Sequence, residues 1–374
     1  MPPFPFSPST MFDFELIRIL GSSSSSGCET TEFKSALSKI KKNDPESWNS
    51  AWKEQASRAE RIGNEAASAG FRIPAKNAFL RASNYFRAAA YMFPSNDDPR
   101  ILTYSEKSIK MFIRASELMD GKVMHVEIPY EGNKKLTGWL CLPSEQEKLP
   151  GKTSNCLLGY TVLCLEGPGQ GMLLKRDKIP LRPDFEVVSG YSNPELDLDL
   201  DRIAVAGAAT GGYFALRAAT DPRTKACVAI DPFYSMWELA LTCAPQSIMK
   251  LWENGCEMNL GKTSMGVDKP SAGLRRFKDF SLDTKKDGNI LERITCPVFL
   301  TGPGAETVMY ASADDSTYKI EKKLVNVPAS KKEVWVPVDV ADGGLTAKIG
   351  AWALLGQKTF IFLDKHFGVK RAAL

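Results

Sequence analysis

Histidine is nearly absent: the chain of 374 residues has two, His125 and His366. A triad that passes a proton from serine or cysteine to imidazole must use one of them, so their positions limit the chemistry from the outset. The eight cysteines (Cys28, Cys141, Cys156, Cys164, Cys227, Cys243, Cys256 and Cys296) include no C-x-x-C pair. That excludes a spaced zinc site and gives no sign of a disulfide framework, so they read as buried thiols and no metal is expected. No apolar run approaches the ~18 residues of a membrane span. The net charge of +4 is spread along the chain, with no arginine-rich arm or basic stripe interleaved with aromatics. Nucleic acid is therefore not an expected partner. The start, MPPFPFSPSTMFDFELIRIL, lacks the basic region and apolar core of a signal peptide, and a cytoplasmic location is expected.

Hydrophobic residues make up 43% of the chain and charged residues 25%, the balance of an ordinary globular protein with ample core. Residues 1–29 read as an irregular N-terminal segment. It begins proline-rich, continues through 11–20 as a short helix or docking strand, and ends in the low-complexity run Gly21-Ser-Ser-Ser-Ser-Ser-Gly27, a mobile link. Residues 30–120 turn helical. Asp44-Pro-Glu-Ser-Trp48 supplies a capping acid and a proline at the first helical position. Helices are expected over about 47–69, 74–91 and 103–119, forming a cap subdomain whose aromatic stripe is packing.

From 121 the period shifts to two, and two alternating strands flank the turn at Glu131-Gly-Asn-Lys134. His125 lies in the first strand, as a structural or solvent-facing residue. Gly159-Tyr-Thr-Val-Leu-Cys-Leu-Glu-Gly-Pro-Gly-Gln-Gly171 is a strand running into a glycine-rich turn. It lacks the Lys-Ser/Thr of a phosphate loop, so no phosphate is expected there. Further strands are expected at 203–206, buried on both faces, and at 226–231, 296–301 and 334–338, with a closing helix at 349–366. Residues 232–290, with helical stretches at 236–243 and 246–252, fit a lid inserted between strands. Strand–helix alternation after 159 makes 121–374 an α/β core with a mostly parallel sheet and helices on both faces.

The stretch Asp201-Arg-Ile-Ala-Val-Ala-Gly-Ala-Ala-Thr-Gly-Gly-Tyr-Phe-Ala-Leu-Arg-Ala-Ala219 is laid out as strand, tight glycine turn, helix. This is the plan of the G-x-S-x-G nucleophile elbow, here written Gly207-Ala-Ala-Thr-Gly211 with alanine at its centre. Together with Phe12-Asp-Phe-Glu-Leu-Ile-Arg-Ile-Leu-Gly21, the Asp44 helix start, Arg81-Ala-Ser-Asn-Tyr-Phe-Arg-Ala-Ala89 and the glycine-rich turn, it resembles a fungal α/β-hydrolase family. That family includes polyketide transferases and polyketide-shortening or cytochalasan- and fusarin-cluster hydrolases, and it is distantly similar to 2,6-dihydropseudooxynicotine hydrolase. The resemblance implies an α/β-hydrolase fold with a helical cap, no cofactor, and hydrolysis or acyl transfer on polyketide-derived esters, thioesters or ketones. A homodimer is compatible with it.

Carried over residue by residue, the resemblance puts Ala209 at the nucleophile position, Glu306 at the acid position with Asp314 and Asp315 behind it, and Thr346 at the histidine position. Thr210 N–H remains as an oxyanion donor, while its β-branched side chain points elsewhere on the turn. Alanine has no heteroatom to attack a carbonyl. Residues 143–158 are also too few for the strand, oxyanion loop and helix that the fold places there, through either a natural deletion or a gene-model error. Three readings follow: a hydrolase or acyltransferase by kinship with a degenerate triad, a pseudoenzyme that binds a polyketide or a partner enzyme, and a non-covalent cyclase.

Overall fold

The structure, a computed structural model, describes residues 6–7, 10–93, 97–143, 159–188, 198–243, 265, 270–284, 288–305 and 313–371. The chain divides into two compact units, Met1–Leu181 and Arg182–Leu374. In the first, five helices precede an antiparallel sheet: α1 (Thr10–Gly21), α2 (Thr30–Leu37), α3 (Pro45–Ser68), α4 (Arg72–Ala89) and α5 (Pro99–Ser116). The start of α3 is fixed locally. The Asp44 carboxylate accepts Glu46 N–H at 3.0 Å and Ser47 N–H at 3.1 Å, and Pro45 occupies a position whose N–H would have no intrahelical acceptor. Alanines at 51, 56 and 59 on α3 and at 75, 78 and 82 on α4 let the two axes approach. Trp48, Trp52, Phe79, Tyr85 and Phe86 fill the space between helices, and Trp48 Nε1–H donates to Ala88 O at 2.8 Å. The aromatic stripe is therefore helical core, as the spacing suggested.

Of the two alternatives for 11–20 the chain takes the helix, over residues 10–21, and the serine run read as a mobile link forms a 3-10 turn at Ser22–Ser25. Ser22 is buried, its hydroxyl donates to Ile19 O at 2.5 Å, and Asn84 Nδ2 donates to Ser22 Oγ and Gly27 O. Hydroxyl-to-backbone bonds give this low-complexity run the local structure that composition alone does not reveal.

Strands β1 (Lys122–Pro129), β2 (Lys135–Leu142) and β3 (Val162–Glu166) form an antiparallel sheet in that order, with Trp139 opposite both His125 and Cys164. The expected strand at 159–166 thus belongs to the antiparallel sheet. After β3 the chain turns through Gly167–Gly171 into α6 (Gly171–Lys175). That turn cradles a group of its own. Glu166 Oε2 accepts Met172 N–H at 3.0 Å, and Gly167 N–H donates to Gln170 Oε1 at 3.0 Å. A carboxylate already placed there opposes a phosphate.

The second unit holds a four-stranded parallel sheet of order β4 (Ala204–Ala208), β5 (Ala226–Ile230), β8 (Val298–Thr301) and β9 (Lys332–Trp335). Flanking helices are α7 (Thr210–Ala218), α8 (Met236–Cys243), α9 (Pro270–Arg276), α10 (Ala313–Lys323) and α11 (Trp352–Phe367); a small hairpin joins β6 (Asp283–Thr284) to β7 (Gly288–Asn289). The sheet's last register row is Ala208, Ile230, Thr301 and Trp335. Expected to be buried on both faces, β4 instead exposes Ala206 and Ala208, because among the described residues it pairs with β5 alone. The helix expected at 246–252 lies outside the described residues, as do 144–158. Removing the α3 cap with Asp44→Ala should lower the unfolding free energy by about 1 kcal/mol, measured by urea denaturation with an unchanged slope.

Candidate functional site at the carboxyl edge of the parallel sheet

The residues that follow the last register row build the site. Ala209 leaves β4 with φ 52 and ψ −116, a strained conformation for a residue with a Cβ, and caps the start of α7. The turn is held from both sides: Ala209 N–H donates to Ile230 O at 2.8 Å, and Ala209 O accepts Gly212 N–H at 2.9 Å. Gly207 is required by close approach, since a Cβ there would overlap the Gly211 carbonyl. Strand, tight turn and helix here have the layout of a nucleophile elbow, with Ala209 at its centre. Thr210, first residue of α7, has no intrahelical acceptor for its N–H and can offer it to an oxyanion.

One strand over, Asp231 follows β5, also with positive φ (48°), and is 5% exposed. Its Oδ1 accepts Thr301 Oγ1–H at 2.6 Å and Lys348 Nζ–H at 2.9 Å, and its Oδ2 accepts Ala347 N–H at 2.6 Å. Lys348, with no exposed surface, also donates to Gly302 O at 2.8 Å and lies 5.4 Å from the centre of the Trp335 ring. Burial pushes the Lys348 ammonium below its ordinary range, and Asp231 opposes that. Ala347 and Lys348 both take φ 53. Among the described residues, four of the seven non-glycine residues of positive φ, namely Ala209, Asp231, Ala347 and Lys348, thus gather at one sheet edge. Strain of this kind persists where the surroundings over-determine it, commonly at functional sites. In open α/β sheets the carboxyl ends of the strands are also where ligands bind.

Of the residues singled out from sequence, Ala209 and Thr346 come to this edge. Thr346 is buried and directly precedes Ala347, whose N–H is held by Asp231. Glu306 lies outside the described residues, and Asp314 and Asp315 start α10. His366 is at the other end of the sheet. It lines a cleft of about 440 Å³ with Arg202, Lys225, Cys296, Pro297 and Lys331, which precede the strands. A five-residue strand puts that end roughly 15 Å from the elbow. Burial, with Lys365 and Lys331, lowers the His366 pKa, against Glu333 3.9 Å away. His125 packs against Trp139 at 5.1 Å in the first unit. Asp231 and Lys348 were missed. The signals were an acid directly after an apolar parallel strand, and one lysine in the otherwise uncharged stretch 343–357.

An elbow on a parallel sheet flanked by helices defines the α/β-hydrolase fold, and comparison with known proteins agrees. No family model matches the chain. It is 65% identical to alpha/beta hydrolase gkaG of Penicillium citrinum over all of both chains. It is 58% identical to alpha/beta hydrolase xenA of Xenoacremonium sinensis over 99% of this chain and 100% of that one. Hydrolase ORFZ of Pyricularia oryzae is 37% identical over 97% and 98%. Among solved structures, 2,6-dihydroxy-pseudo-oxynicotine hydrolase gives a TM-score of 0.66 at 18% identity, covering 95% of this chain and 98% of that one. The chain belongs to this family of fungal α/β hydrolases.

The Penicillium alignment runs over 428 positions, so that relative has residues at no fewer than 54 positions where this chain of 374 has none. Such a gap is in keeping with the shortness of 143–158.

Two outcomes test the site's construction. Ala209→Gly relieves the positive φ and should raise stability by about 1 kcal/mol. Lys348→Met leaves a buried carboxylate uncompensated and should cost about 3–5 kcal/mol, much of it recovered when Asp231→Asn is added. Both are read from denaturant midpoints.

Proposed function

We propose that this protein binds polyketide-derived esters, thioesters or ketones of fungal secondary metabolism at the carboxyl edge of the parallel sheet and forms no acyl-enzyme. The observation that carries this reading is the elbow itself: Ala209 has the strained backbone of the nucleophile position and no heteroatom to attack with. At Thr346, where the resemblance expects imidazole, stands a buried threonine. The polar groups of Asp231, Thr301 and Lys348 are engaged with one another, which leaves no poised general base among them.

What such an edge can supply is a donor for carbonyl oxygen at Thr210 and a fixed surface against which a reactive chain is held. Holding two reacting carbons of one molecule together contributes several kcal/mol by proximity alone. Non-covalent ring closure, or binding as a pseudoenzyme, therefore fits the residues better than hydrolysis or acyl transfer through a triad. Acyl chemistry remains the relation by family, and Glu306 is the acid that relation would use. We place the protein in the cytoplasm, with a homodimer as the assembly to look for by sedimentation.

The test pairs chemistry with binding. A p-nitrophenyl ester should give no burst and no acyl adduct by intact mass, while a β-ketoacyl thioester should raise the melting temperature. Ala209→Ser combined with Thr346→His should increase ester turnover by about a hundredfold. A stoichiometric burst from the unaltered protein would refute the proposal.

A further inference from the structure

The cysteines were expected to be buried thiols, and Cys28, Cys227 and Cys296 are. Burial pushes all three thiols up, that of Cys296 to about 11. Two others differ. Cys141 on β2 and Cys164 on β3 are half-buried and exposed, respectively. In the antiparallel register Cys141 faces Val162 and Trp139 faces Cys164. The two cysteines therefore point to the same face of the sheet and are diagonal neighbours. Their side chains are hydrogen-bonded to each other, and the Cys141 thiol, donating to a Cys164 thiolate, brings Cys164 down to about 7 against the opposing effect of burial. An accessible, readily ionised thiol beside a second thiol is the arrangement of an oxidisable pair.

We propose that Cys164 and Cys141 form a peroxide-reactive modification site, with Cys164 the attacking thiolate and Cys141 the resolving thiol. Cys164 sulfur attacks hydrogen peroxide, the O–O bond breaks, and hydroxide leaves, giving the sulfenic acid. Cys141 sulfur then displaces the second hydroxide, forming the S–S bond. Two thiols lose two electrons and two protons, and one peroxide becomes two waters. Diagonal neighbours lie at about 7–8 Å between Cα atoms, at or past the upper limit a disulfide spans. Closure must shift β2 and β3 locally along each other, and a bridge under such load is easily reduced, so the modification is reversible.

The strand affected is the one that ends at Glu166. That carboxylate accepts Met172 N–H, and Thr137 Oγ1–H at 3.3 Å, on the same two strands. Oxidation therefore acts on the support of the turn at Gly167–Gly171.

The experiment uses the full chain, reduced and then exposed to one equivalent of hydrogen peroxide, with peptide mapping by mass spectrometry. The expected product is a Cys141–Cys164 disulfide that dithiothreitol removes. With Cys141→Ala, Cys164 should accumulate as a dimedone-trapped sulfenic acid. Its alkylation by iodoacetamide at pH 7 should also slow about tenfold, as the thiolate loses its donor. Circular dichroism confirms that this surface variant is folded. A bridge between other cysteines overturns the proposal, and so does alkylation of Cys164 no faster than that of Cys28 or unchanged by Cys141→Ala.

Discussion

The Asp231 carboxylate governs the carboxyl edge of the parallel sheet. It is taken out of water, and every lone pair must then be answered by protein. Thr301 answers from β8, while Lys348 and the Ala347 N–H answer from the loop before α11. One acid thereby ties the ends of β5 and β8 to the loop that carries Thr346. The loop accepts two consecutive left-handed residues because those bonds are made only in that conformation. A buried ion pair is weak evidence for stability, since desolvation offsets attraction. What this pair supplies is position: Gly302 O and Asp231 Oδ1 together leave the Lys348 ammonium one place to be.

The elbow is held in a similar way, by the backbone around it. Its strain follows from the Ile230 carbonyl, the close approach of Gly207 to Gly211, and the need of α7 to start at once. None of these depends on the side chain at 209. The geometry of the turn is therefore held by the rest of the fold whatever side chain stands at 209. This is why the class of fold is much plainer than the chemistry, and why identity of 65% with a named hydrolase is compatible with a different use of the site.

How much was legible in the sequence follows from the range of the forces involved. Local signals read well: Asp44-Pro45 opened α3, alternation gave β1 and β2, and the glycine spacing gave the strand, tight turn and helix around Ala209. Signals that need a partner far along the chain did not. Nothing near Ser22 in sequence announces Asn84, and nothing near Asp231 announces Lys348 more than a hundred residues on. Cys141 and Cys164 were counted as inert for the same reason, since only strand register puts them side by side. At the candidate site, Ala209 and Thr346 lie at the edge where β4 ends, whereas Asp231 and Lys348, which hold that edge together, were found only by geometry.

The strand that carries the elbow shows the remaining tension. Its sequence, Ala-Val-Ala-Gly-Ala, is apolar throughout, the composition of a strand covered on both faces and paired on both sides. Among the described residues it has one neighbour, β5, and β3 likewise has one, β2. An apolar strand with an open edge is something natural sheets avoid, because its unpaired N–H and C=O groups invite another strand. The composition of β4 thus fits an interior strand, and relatives that align end to end carry more residues than this chain does.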